Sequence, residues 1–377
     1  MIYKDFKDLK LSTLGMGTMR LPVIEGQDSN VDEKATREMV AYAMEHGINY
    51  FDTAWAYHGG NSEIAIGKAL SEYPRDSYYL ADKFPGYDLS NMTKIEEIFD
   101  KQLEKCRVDY FDFYMFHNVC EMNIDAYLDE KYDLFSFLMK QKELGRIKHL
   151  GFSAHGSYDV IKRFLEAYGE HMEFGQLQVN YLDWIFQEAS RKVELLDDYN
   201  IPVWVMEPLR GGRLAKLNEE ETATLKSMRP GERVPAWAFR YLQSLPSVKV
   251  VLSGMSNYEQ MKENLGTYET DQPLSEKEME SVMKMASQML SSKILPCTAC
   301  NYCVSHCPQE LNIPELIGLF NEHRFTEGGF IAPMALMAIP EEKQPSACIG
   351  CGNCEKVCPQ QISISKVMKE FAGKVKM

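Results

Sequence analysis

INYFDTAWAY, residues 48–57, is the stretch whose reading decides the fold. Residues 48–53 form a short apolar run of β-branched and aromatic side chains, the pattern of a strand buried on both faces. The run delivers Asp52 at its end, and Tyr57 follows just beyond it. Comparable runs lie at residues 14–21, 78–83, 111–117, 149–153, 175–180, 203–207 and 248–253, with amphipathic stretches between them. Two of these also end on polar groups: Lys83 in Ala-Asp-Lys-Phe and His117 in Met-Phe-His-Asn. Eight strand–helix units in roughly 250–270 residues predict an α/β chain built as a (β/α)8 TIM barrel, whose C-terminal strand ends form the active face. The competing architecture is an open doubly wound sheet, but no G-x-G-x-x-G follows the first run.

The chain has 377 residues, 45% of them apolar, which is enough for a barrel and a smaller module. A capping box, Ser275 with Glu278, opens a helix after the last run, and Met279, Val282, Met283, Ala286 and Leu290 form its apolar stripe. The expected division is a barrel with this helix over residues 1–290 and a mainly helical module over 291–377. Within the module residues 312–325 read as a helix, and Gly328, Gly329 and Pro333 read as breaks. The formal charge of −14 offers no basic footprint for nucleic acid. No apolar stretch has membrane-spanning length, and the first residues lack the apolar core of a signal peptide, so a cytoplasmic protein without membrane partners is expected.

Eight of the ten cysteines fall in two copies of one spacing. Cys297, Cys300, Cys303 and Cys307 read C-x2-C-x2-C-x3-C-P, closed by Pro308; Cys348, Cys351, Cys354 and Cys358 repeat it, closed by Pro359. This is the bacterial ferredoxin run and predicts two [4Fe–4S] clusters, with the fourth cysteine of each run serving the other cluster. The ligand sets are then Cys297, Cys300, Cys303 and Cys358 for one cluster, and Cys348, Cys351, Cys354 and Cys307 for the other. Four-thiolate zinc sites and disulfides are the alternatives. Cys106 and Cys120 remain outside the pattern; with the clusters they fit a reducing compartment.

Asp52, Tyr57, Lys83 and His117 converge on three successive strand ends. Reduction of a carbonyl by hydride requires a proton for the forming alkoxide. A phenol near an ammonium is expected to have a lowered pKa and to supply that proton. Asp52 would hold Lys83 in place, and His117 would orient the carbonyl oxygen.

On these four residues, and on several further segments, the chain resembles the aldo-keto reductase superfamily over about residues 10–270. The segments are Gly15-Met16-Gly17-Thr18, Asn61-Ser62-Glu63, Gly151-Phe152-Ser153, Gln178, Glu207-Pro208-Leu209-Arg210-Gly211-Gly212, and the stretch from Gly254 to Asn264. The resemblance implies Tyr57 as general acid supported by Asp52, Lys83 and His117. It implies NADP(H), with NAD(H) as the variant, held by Gly17, Thr18, Met206, Pro208 and Leu209. Ser153 and Gln178 would sit at the carboxamide, and Gly254, Ser256, Gln260, Glu263 and Asn264 at the adenosine end. Where many relatives place a stacking tyrosine this chain has Met206. Where they place a lysine and an arginine on the 2′-phosphate it has Gly254 and Gln260, so Arg210 and Arg213 are the expected source of positive charge. His58, Trp55 and Trp184 are expected at the substrate pocket by position, and Cys120 as a buried inert thiol.

The whole chain resembles the iron–sulfur aldo/keto reductases. The implied substrate is a small carbonyl or alcohol. Hydride moves electrons in pairs and a cluster moves them singly, so direct exchange needs a converter such as a flavin, for which no fingerprint is present. Three functions follow. The barrel reduces carbonyls with NADPH while the clusters tune or stabilise it. Alternatively, clusters fed by a one-electron redox partner protein deliver electrons to a flavin, another barrel-bound redox group or the substrate. In the third case the barrel senses nicotinamide without turnover.

Overall fold

The chain is described by a computed structural model that covers every residue except 292, 293, 296, 298, 299, 359, 376 and 377. It divides into two compact units, Met1–Met283 and Lys284–Met377. The boundary falls inside the helix Glu276–Ser291, which opens on the expected capping box: Glu278 N donates to Ser275 Oγ at 3.4 Å and Ser275 N to Glu278 Oε2 at 2.8 Å.

In the first unit ten strands run in the order β1 (Tyr3–Phe6), β2 (Leu9–Ser12), β3 (Leu14–Gly17), β4 (Tyr50–Asp52), β5 (Tyr79–Phe84), β6 (Phe111–Val119), β7 (Ile147–Ala154), β8 (Gly175–Gln178), β9 (Val203–Met206) and β10 (Val248–Ser253). Strands β3 to β10 pair in parallel as a closed barrel, with β10 returning to β3. This is the (β/α)8 barrel read from the eight apolar runs. The hairpin β1–β2 was not legible in that reading. It pairs Tyr3 with Ser12 and Phe6 with Leu9. Phe6 and Leu11 join an apolar cluster inside the barrel with Tyr50, Ala81, Phe113, Phe174 and Trp204. The Phe6 ring meets Trp204 edge-on at 5.1 Å. Each fully buried ring of this layer contributes about 1.5–3 kcal/mol.

Side chains alternate along a strand, so the positions two residues on from these rings also face the interior. Climbing the strands by twos leads from Tyr50 to Asp52, from Ala81 to Lys83, from Phe113 through Met115 to His117, and from Trp204 to Met206. On β7 and β8 the same step leads from Gly151 to Ser153 and from Gln176 to Gln178. Gly151 has no side chain because a Cβ there would stand 2.6 Å from the Phe174 ring, which fills the space. The apolar layer is thus a floor, and the polar residues stand above it towards the C-terminal strand ends.

The second unit packs the helices Ile313–Thr326, Ile331–Met337 and Ile364–Lys374 around Leu316, Ile317, Phe320, Ile364, Met368 and Phe371. Gly328 ends the first of these helices' pattern at φ +102°. Pro333, expected as a break, instead lies in the first turn of the helix Ile331–Met337, where its missing N–H removes no intrahelical bond. Pro359 lies outside the described residues. Among the described residues no helix is long and apolar enough to cross a membrane.

Candidate active site and cluster-binding cavities

Asp52 ends β4, and the chain then turns through the 3-10 segment Tyr57–Gly60, which returns Tyr57 towards the barrel mouth. Lys83, fully buried on β5, places Nζ 2.6 Å from Asp52 Oδ1 and 2.7 Å from the Thr53 carbonyl. The same Nζ lies 5.3 Å from the centre of the Tyr57 ring. His117, from β6, meets Tyr57 edge-on at 6.3 Å between ring centres. The four residues singled out by the strand-end pattern therefore share one site. Tyr87 adds a fifth ring, 5.1 Å from His117 and perpendicular to it.

The charges follow from burial and proximity. Burial works against the Lys83 ammonium, but Asp52, then Tyr57, outweigh it, and the Lys83 pKa rises. Burial raises the Asp52 carboxyl, with Lys83 opposing the rise. Burial drives the His117 imidazole well below its ordinary range, and the charge on Lys83 adds to this, so the ring is neutral near pH 7. Its Nδ1 has no hydrogen-bond partner among the described residues. For Tyr57 the lowered phenol pKa expected from the sequence is corrected. Lys83 does pull it down, but burial outweighs Lys83, Asp52 and Glu207 push the same way as burial, and the net shift is upward.

Lys83 is held from behind by a polar layer that the sequence reading missed. Gln102 Nε2 donates to the Lys83 carbonyl at 2.9 Å, and the Tyr114 hydroxyl donates to Gln102 Oε1 at 2.5 Å. Buried Glu63 receives Lys105 Nζ at 2.6 Å. Lys105 also lies 4.0 Å over the Trp55 ring.

Across the mouth, Gln178 Nε2 donates to Asp183 Oδ2 at 2.8 Å. Asp183 is fully buried and also holds Asn180 Nδ2 at 2.7 Å and Arg210 Nε at 2.9 Å. The amide of Gln178 is thereby fixed with its NH2 turned to Asp183, and its buried Oε1 has no partner among the described residues. A fixed, unsatisfied acceptor above the apolar floor fits the NH2 of a carboxamide. Ser153 Oγ accepts the Asn118 N–H at 2.8 Å. Met206 is half-buried beside Gln176, whose Nε2 lies 4.0 Å from the thioether. Pro208 is buried and Leu209 half-buried in the loop after β9.

Some expected positions are engaged in holding the barrel rim. Thr18 Oγ1 donates to the Asp52 carbonyl at 2.9 Å and accepts from Ser62 Oγ at 2.7 Å, and its side chain is fully buried. Gly17 stands beside it with only ordinary contacts around an imagined Cβ. After β10, Gly254 and Ser256 are exposed, Ser256 N donates to Gln260 Oε1 at 2.9 Å, and Asn264 Nδ2 bonds Ser253 Oγ at 3.0 Å. Glu263 forms an ion pair with Arg233. His58, expected at the substrate pocket, is instead a buried structural group. Its Nε2 accepts the Leu21 N–H at 3.0 Å, and Nδ1 lies 2.8 Å from the Asp28 carbonyl. Arg210 is committed to Asp183 inside the protein and does not supply the free positive charge expected of it. Cys120 is buried, and burial pushes its thiol up to about 11, as befits an inert residue.

In the second unit two cavities are each lined by four cysteines. One is lined by Cys297, Cys300, Cys303 and Cys358 with Ile317 and Ile362; the other by Cys307, Cys348, Cys351 and Cys354 with Leu311 and Met368. Ile364 lines both. Each set takes three thiols from one run and the last thiol of the other, the crossed grouping that the spacing predicts for paired cubanes. Cys300 and Cys351 are the exposed members of each set, Cys303 and Cys354 the buried ones.

Residues 13–287 match the family model of the aldo/keto reductases, and residues 296–363 match that of the 4Fe-4S dicluster domain. The chain belongs to the aldo/keto reductase family. To this family's barrel it joins a C-terminal 4Fe-4S dicluster domain. It is similar to an L-galactose dehydrogenase of Arabidopsis thaliana, with 27% identity over 68% of this chain and 84% of the relative. It is also similar to an NADH-specific methylglyoxal reductase of Escherichia coli, with 25% identity over 55% of this chain and 66% of the relative. Among solved structures, the holo form of an aldo-keto reductase, AKR11C1, from Bacillus halodurans superposes with a TM-score of 0.62 and 26% identity, covering 76% of this chain and 96% of that one.

Within this family frame, two further site residues lay beyond the sequence reading for different reasons. Asp183 sits five residues after Gln178, in Asn-Tyr-Leu-Asp, and an acidic residue directly after the apolar Tyr181 and Leu182 was the available signal. Tyr87 lies in an irregular loop after β5, where no periodicity points inward.

Proposed function

We propose that the chain is an NAD(P)H-dependent oxidoreductase that reduces a small carbonyl compound, or oxidises the corresponding alcohol, with Tyr57 as proton donor, and that it carries two [4Fe–4S] clusters. One observation carries this reading: the half-buried Tyr57 ring has Lys83, paired with buried Asp52, 5.3 Å from its centre on one contact and the neutral His117 ring 6.3 Å away on another. When bound, a nicotinamide supplies the hydride. Gln178, steadied by Asp183, would receive the carboxamide NH2, and Met206 would lie beside the ring. The N–H of the neutral His117 ring would donate to the carbonyl oxygen and hold it near Tyr57. Tyr57 would give its proton to that oxygen as negative charge grows there. Lys83 would stabilise the phenolate left behind, and Asp52 would keep Lys83 in place. The relative named for NADH and the absence of a lysine or arginine at Gly254 and Gln260 support both nicotinamides as candidates.

The pH profile tests this assignment. Tyr57 is shifted upward and His117 downward, so proton donor and neutral imidazole coexist throughout the neutral range. The rate of carbonyl reduction should stay flat from about pH 6 to about pH 9, with no inflection near 6.5, the ordinary histidine value. A loss of rate on acidification through that value would show that His117 takes up its proton at the ordinary histidine pH and is not held neutral by the site.

When bound in the second unit, the clusters supply one-electron chemistry. Exposure of Cys300 and Cys351 supports the second reading, in which a redox partner protein exchanges single electrons there, with or without a flavin on the barrel. The thiol-rich ligand sets and the free Cys106 and Cys120 support a reducing compartment such as the cytoplasm. Crossed ligation has its own test. Cys307→Ser should remove the cluster of Cys348, Cys351 and Cys354, leaving about four of about eight iron atoms per chain and one set of reduced-cluster resonances. Cys358→Ser should remove the other. If each substitution abolished the cluster of its own run, the crossed sets would be wrong.

A further inference from the structure

Arg20 follows β3 and played no part in the strand-end pattern. Its side chain lies over Gly254: a Cβ at that glycine would stand 3.1 Å from Arg20 Cβ and 3.2 Å from Cγ and Cδ. A side chain at this position would therefore crowd the arginine stem, which would have to give by a few tenths of an ångström. The stem runs from the loop after β10 towards the loop after β9, where one guanidinium nitrogen would be 3.4 Å from a Cβ at Gly211. Its partner there is Glu207, whose Oε1 is 3.7 Å away. The other oxygen of Glu207, Oε2, accepts the backbone N–H of Gly211.

Glu207 is itself unusual. It stands at φ +54°, a left-handed conformation that is strained for a non-glycine residue. Arg210, Gly211 and Gly212 follow at φ +47°, +65° and +91°. The Glu207 carbonyl is tied down by Asn180 Nδ2 at 3.0 Å and by the Arg210 N–H at 3.0 Å. The loop thus holds a carboxylate between a half-exposed guanidinium and a glycine N–H. Those are the donors that bind phosphate oxygens, and they stand between the two loops that flank the expected dinucleotide cleft. Arg210, the more obvious cation, is buried against Asp183.

We propose that Arg20 and the Gly211 N–H form the pyrophosphate seat of the dinucleotide cleft, and that Glu207 occupies this seat as a resident carboxylate which the nucleotide displaces. The inference rests on the nicotinamide reading above. It assigns Arg20 to the pyrophosphate rather than to a 2′-phosphate because the guanidinium points to the β9 loop. Gln260, where relatives carry the 2′-phosphate arginine, is instead satisfied by the Ser256 N–H.

The two residues should respond in opposite directions. Equilibrium binding of NADH, NADPH and ADP to the intact cluster-loaded protein is measured anaerobically by titration calorimetry. Arg20→Ala should weaken all three by a similar factor, about tenfold, as for a lost charge-assisted contact, and Arg20→Lys by less. Glu207→Gln keeps an acceptor for Gly211 but removes the competing charge, and should tighten all three by roughly threefold, with a weaker dependence on salt. Melting temperatures of the variants identify any that fail to fold. Loss confined to NADPH in Arg20→Ala would overturn the pyrophosphate assignment, and weaker binding in Glu207→Gln would overturn the displacement. Wild-type binding with both variants unchanged would remove the seat and leave the nicotinamide reading standing. Failure of the wild type to bind any dinucleotide would remove the nicotinamide reading itself.

Discussion

Tyr57→Phe should abolish carbonyl reduction while leaving nucleotide binding intact. The substitution removes one oxygen from a ring that otherwise keeps its packing against His117 and its place 5.3 Å from Lys83 Nζ. A positioned general acid contributes about 10²–10⁴-fold, so a fall of that size is expected in kcat, with little change in the affinity for NADPH. Steady-state kinetics with a simple aldehyde, beside calorimetric binding of the nucleotide, check both halves. A variant that kept a tenth or more of its rate would show that the proton comes from elsewhere, with His117 or a water held by Tyr87 as the next candidates.

Lys83→Met should damage both stability and activity. The ammonium is completely buried, and its loss strands Asp52, which is 2% exposed and whose Oδ2 already has no partner among the described residues. Breaking one side of a buried ion pair costs about 3–5 kcal/mol, a large share of a marginal stability. The sign with pH follows from the upward shift of Lys83 in the fold. Its contribution is complete below the ordinary lysine value and fades as pH rises through the higher folded value, so the wild type should lose this advantage only under strongly alkaline conditions. Adding Asp52→Asn to Lys83→Met should restore much of the melting temperature, because no buried charge remains, without restoring activity. Equal melting temperatures for wild type and Lys83→Met would mean that the pair is poorly coupled to folding. Full activity in the variant would remove Lys83 from the mechanism.

The barrel was legible because parallel strands buried on both faces leave uninterrupted apolar runs, and the site was legible because those runs end on Asp52, Lys83 and His117. The eight cysteines were legible because a cubane demands a fixed spacing along the chain. The hairpin β1–β2 was not, since its four-residue strands mix Lys4, Asp5 and Lys10 with the few apolar residues that face inward. His58 misled because nearness in sequence to Tyr57 does not fix where a ring points; a left-handed backbone at φ +55° accompanies its turn to the Leu21 and Asp28 backbone. The direction of the Tyr57 shift was misjudged because a sequence displays the neighbouring ammonium but not the depth of burial that outweighs it. Arg20 was invisible for a related reason. Its significance arises only when β3 and β10 close the barrel and bring it over Gly254.

The central claim is that nicotinamide hydride and the Tyr57 proton reach the same carbonyl in this barrel. It is tested most directly by anaerobic single-turnover mixing of the cluster-loaded protein with NADPH or NADH and a small aldehyde, run beside Tyr57→Phe. Aldehyde-dependent oxidation of the nucleotide, at a rate independent of any added one-electron donor and lost in Tyr57→Phe, is the predicted result. Nucleotide that stays reduced with every carbonyl offered, while a low-potential one-electron donor alone drives turnover and Tyr57→Phe behaves as wild type, would contradict it.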